Sequence, residues 1–81
     1  MEIKEIYDPN EKSNICCFIL RELPNWFGVE DSINDYVEQV KTMPFYAAYD
    51  GTIVIGFAAI KVHNSYTSEV CVMGVLSNYH R

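Results

Sequence analysis

The chain has 81 residues, a formal net charge of −5, and is 49% hydrophobic and 21% charged. That balance belongs to a globular chain rather than a disordered one, and the negative charge argues against nucleic acid or an anionic membrane as the main partner, since both select basic surfaces. No apolar run reaches the ~20 residues of a membrane-spanning helix, and the charged start Met1-Glu2-Ile3-Lys4-Glu5 is unlike a signal peptide, so a cytoplasmic protein is expected.

The length leaves room for one domain, spanning 1–81, and a chain this short buries only about 60% of its unfolded surface. Three cysteines, Cys16, Cys17 and Cys71, fit a reducing compartment. Neighbours Cys16 and Cys17 point about 100° apart on a helix and cannot serve one metal together. With no C-x-x-C or H-x-x-x-H spacing they read as small core hydrophobes, and no metal is expected.

Glu2 to Tyr7 alternates charged and apolar residues and predicts a first, edge strand. Asp8-Pro9-Asn10 is turn chemistry that also starts a helix, with Asp8 as cap and Pro9 in the first turn. From about Asn10, Ile15, Phe18, Ile19 and Leu23 recur at helical spacing, with Glu11, Lys12, Arg21 and Glu22 assigned to the other side. Pro24 ends that helix. The loop Pro24-Asn25-Trp26-Phe27-Gly28 carries two large aromatics, readable as a plug over the core or as walls of a pocket. Asp31-Ser32 offers a second helix cap, and Ile33, Tyr36, Val37 and Val40 form its apolar stripe, ending near Lys41-Thr42 before Pro44.

Phe45 to Tyr49 predicts a strand, Asp50-Gly51 a tight hairpin, and Thr52 to Val62 the next strand, with a bulge at Gly56. After a polar loop, His63 to Thr67, comes the closing strand, Val70 to Val75, interrupted by Gly74. A glycine inside a strand marks a bulge or a close approach by another backbone or a ligand. The predicted fold class is α+β, ordered β-α-α-β-β-β, with a mainly antiparallel sheet and two helices on one face. The last two strands lack polar alternation, so both sheet faces need cover. Two helices cover one. The other face is expected to stay bare or to pack on a second copy.

The order of elements, the Asp50-Gly51 hairpin, the strand Glu69 to Val75 and the following Leu76-Ser77-Asn78-Tyr79-His80-Arg81 together resemble the front half of the GNAT superfamily of acyl-CoA-dependent N-acetyltransferases. In that family such a strand runs into a pyrophosphate-binding loop that begins with Gln or Arg and has small residues at its fourth and sixth places. His80 and Arg81 correspond to the first two places; the rest of the loop lies beyond Arg81. Ser77, where proline is commonest, and His80 depart from the usual pattern.

The resemblance implies acetyl-CoA as co-substrate and a small-molecule or peptide amine as acceptor. It implies that main-chain groups of Met73, Gly74 and Val75 pair with the pantetheine arm, with Gly74 letting the strand splay. It implies Glu69, four residues before Met73, as the base that deprotonates the amine, His80 and Arg81 as the start of the anion site, and Trp26 and Phe27 as acceptor-pocket walls. Glu69 also reads simply as a solvated strand start, Gly74 as a plain bulge, and His80-Arg81 as a charged tail. His63 reads as a loop residue, and the tyrosines as packing residues. The partial domain is expected to be inactive alone. The alternative is a non-catalytic module that uses its open sheet edge and bare face to associate with itself or a partner.

Overall fold

The computed structural model describes residues 1–23 and 30–76. The loop with Trp26 and Phe27, and the segment with His80 and Arg81, lie outside the described residues. The elements are β1 (Glu2–Ile6), α1 (Pro9–Glu22), α2 (Glu30–Gln39), a 3₁₀ turn (Val40–Thr42), β2 (Phe45–Asp50), β3 (Ile53–Val62) and β4 (Ser68–Val75). The predicted α+β order is the observed one. The four strands form one antiparallel sheet in the order β1-β2-β3-β4. Among the described residues no helix is long and apolar enough to cross a membrane.

Asp8 caps α1 by accepting the Asn10 N–H at 2.8 Å, and Pro9 occupies the first turn, where its missing N–H costs nothing. The buried residues of α1 are Lys12, Ser13, Ile15, Cys16, Ile19 and Leu20, followed by Leu23. Two assignments change. Phe18 lies well round the helix from Ile19 and is exposed. Lys12 lies one turn before Cys16 and two before Ile19, so it points inward. Its ammonium is satisfied by donating to the Met43 carbonyl at 2.7 Å, which ties α1 to the chain entering β2. In α2, Ile33 is buried and Tyr36 and Val37 are half-buried, as the stripe predicts. Asp31 and Ser32 are not caps, because the helix already includes Glu30.

The hairpin turn is displaced by one residue. Asp50 pairs with Ile53, so the two-residue turn is Gly51-Thr52. Gly51 has φ of +64° and Thr52 does not share it. Glycine first and a negative φ second fits the type II′ turn, whose twist suits antiparallel strands. Along β3 the register skips Ile55, beside Gly56 where a bulge was expected. Along β4 it skips Cys71 rather than Gly74.

One sheet face carries the core. The row Ile6, Phe45, Ala59 and Val72 and the row Lys4, Ala47, Phe57 and Gly74 run across all four strands, and most of these residues are buried. Phe45 and Phe57 stack with ring centroids 5.3 Å apart and planes 8° off parallel, favourable beyond their area. A Cβ on Gly74 would stand 2.9 Å from Leu23 Cδ1 and 3.1 Å from Ile19 Cγ2. This glycine therefore lets α1 lie close on the sheet. Gly74→Ala is expected to lower stability by about 1–3 kcal/mol through overpacking, measured by urea denaturation. Combining it with Leu23→Ala, which clears the space, should cost less than the sum of the two single changes.

Candidate functional site

Of the residues singled out from the sequence, Glu69, Met73, Gly74 and Val75 fall along β4. This is an edge strand, bonded to β3 on one side and to no other strand among the described residues. Gly74 pairs in register with Phe57, and the ladder continues past it, Leu76 N–H donating to the Ile55 carbonyl at 2.8 Å. β4 thus stays paired with β3 at Gly74, which corrects the expectation of a bulge there. On its outer edge the backbone of β4 pairs with no strand among the described residues. Met73 is exposed on the face away from the helices, while Gly74 faces α1.

Glu69 lies near the start of β4, opposite Lys61. Its carboxylate oxygen is 3.0 Å from His63 Nε2, and both side chains are open to solvent. The loop between β3 and β4 makes this pairing. Asn64 accepts the N–H groups of Tyr66 and Thr67 at 2.7 and 2.9 Å, and the His63 N–H donates to the Thr67 carbonyl at 3.0 Å. That closure sets His63 one step beyond the Val62–Ser68 pair and beside Glu69. Reading His63 as an isolated loop residue missed it. The available signal was the loop's Asn-x-x-Thr pattern, which promotes a side-chain-bonded turn.

The thiols divide by burial. Cys16 is fully buried, whereas Cys17 and Cys71 are partly open. Burial, with smaller contributions from Cys17 and Cys71, pushes the Cys16 thiol up to about 12. Cys17 instead touches solvent chemistry: Arg21 Nε donates to its sulfur at 3.1 Å. The contact with Cys17, more than the nearby Glu30 carboxylate, holds the Arg21 guanidinium above its ordinary range. Arg21 also bridges the helices through Glu30, at 2.8 Å. This places a cation in the last turn of α1 and an anion in the first turn of α2, each favoured by its helix dipole.

Compared with models of protein families, with curated proteins and with solved structures, the chain gave no match.

Glu69→Gln should change stability by less than about 1 kcal/mol, because an exposed ion pair contributes little; a large fall in the thermal midpoint would make the carboxylate a structural group. Cys16 keeps its proton in the folded protein at pH values where an unfolded thiol, ordinarily near 8.5, releases it. Its contribution is therefore complete below about pH 8.5 and is lost as pH rises toward about 12. Chemical denaturation across the alkaline range should show Cys16→Ala with a shallower loss of stability than the parent.

Proposed function

We propose that this chain forms the front part of a GNAT-type N-acetyltransferase, which moves acetyl from acetyl-CoA to a primary amine by direct attack. The observation that carries the reading is β4, paired on one side only among the described residues, as the last strand described of a β-α-α-β-β-β antiparallel fold. An outer strand edge of this kind fits an extended, amide-bearing arm, which can add to it as a further strand.

In the reaction the amine nitrogen attacks the thioester carbonyl carbon, the C–S bond breaks and the thiolate leaves. The protein must bring the two reactants into line, remove a proton from the amine and stabilise the developing oxyanion. The proposal gives the backbone of Met73, Gly74 and Val75 the first and third tasks, on the outer edge of β4. Glu69 receives the proton task. Its carboxylate already holds His63 at 3.0 Å, which leaves its second oxygen to meet an incoming ammonium. Trp26 and Phe27 are assigned to the acceptor wall, and His80 and Arg81 to the start of the pyrophosphate site. Gly74 has a further part beside its assigned one: it lets α1 pack close behind the strand that carries the donors. The cytoplasm, where thiols such as these stay unpaired, is the compartment that goes with this reading.

Titrating acetyl-CoA into isotopically labelled protein tests it. The backbone amide signals of Met73, Gly74 and Val75 should move with ligand concentration, and the thermal midpoint should rise, because a ligand of the folded state alone stabilises it. Amide signals that stay fixed up to millimolar acetyl-CoA would overturn the proposal.

A further inference from the structure

We draw no further inference here: the strongest candidate, the apolar hollow floored by Ala48, Gly56 and Ala58 on the sheet face turned away from the helices, carries nothing because nothing among the described residues shows what covers it.

Discussion

The close seating of α1 on the sheet is the contact on which the rest depends. Ile19 and Leu23 reach the backbone of β4 because residue 74 has no side chain. The same helix is held at its other end by the Lys12 ammonium on the Met43 carbonyl. Between these two points it closes over the Phe45–Phe57 stack. Among the described residues, two helices and four strands put nearly all of the apolar burial in this single layer. What is asked of the edge of β4 rests on how α1 lies across it.

Much of this was legible in the sequence. The Asp8-Pro9 start of α1, the Ile33-to-Val40 stripe of α2 and the alternation of β1 are local patterns, each set by capping, periodicity or pleat within a few residues. The absence of polar alternation in β3 and β4 also pointed to a second apolar face, and among the described residues Val70 and Met73 are open to solvent on it. The errors fall where the outcome depends on partners distant in sequence. Lys12 looks like a surface residue until the Met43 carbonyl, thirty-one positions on, accepts its hydrogen bond. The skip at Cys71 is a property of the β3–β4 register, and the role of Gly74 is a property of helix packing; neither is written in the β4 residues themselves. The turn moved by one residue because glycine suits either central place of a primed turn.

The candidate site divides in the same way. That Glu69 starts a strand four residues before Met73 is visible in the sequence. Its partnership with His63 is not, because it requires the Asn64-centred turn to bring the two ends of the hairpin together. The Trp26-Phe27 and His80-Arg81 assignments rest on the family resemblance alone, since they lie outside the described residues.

The edge of β4 and its outer face point in different directions. A pantetheine arm paired to the edge lies in the plane of the sheet, along the backbone hydrogen-bonding direction, whereas the exposed side chains of Val70 and Met73 stand along the normal. Met73 belongs to both, its amide and carbonyl in the plane and its side chain out of it. An arm added to the edge therefore need not disturb what lies on the face. What the edge does require is a strand held still, since a strand already ordered presents its amides at less ordering cost. The packing of Ile19 and Leu23 against Gly74 supplies that hold from the helical side, so the layer that forms the core is also the one that prepares the template.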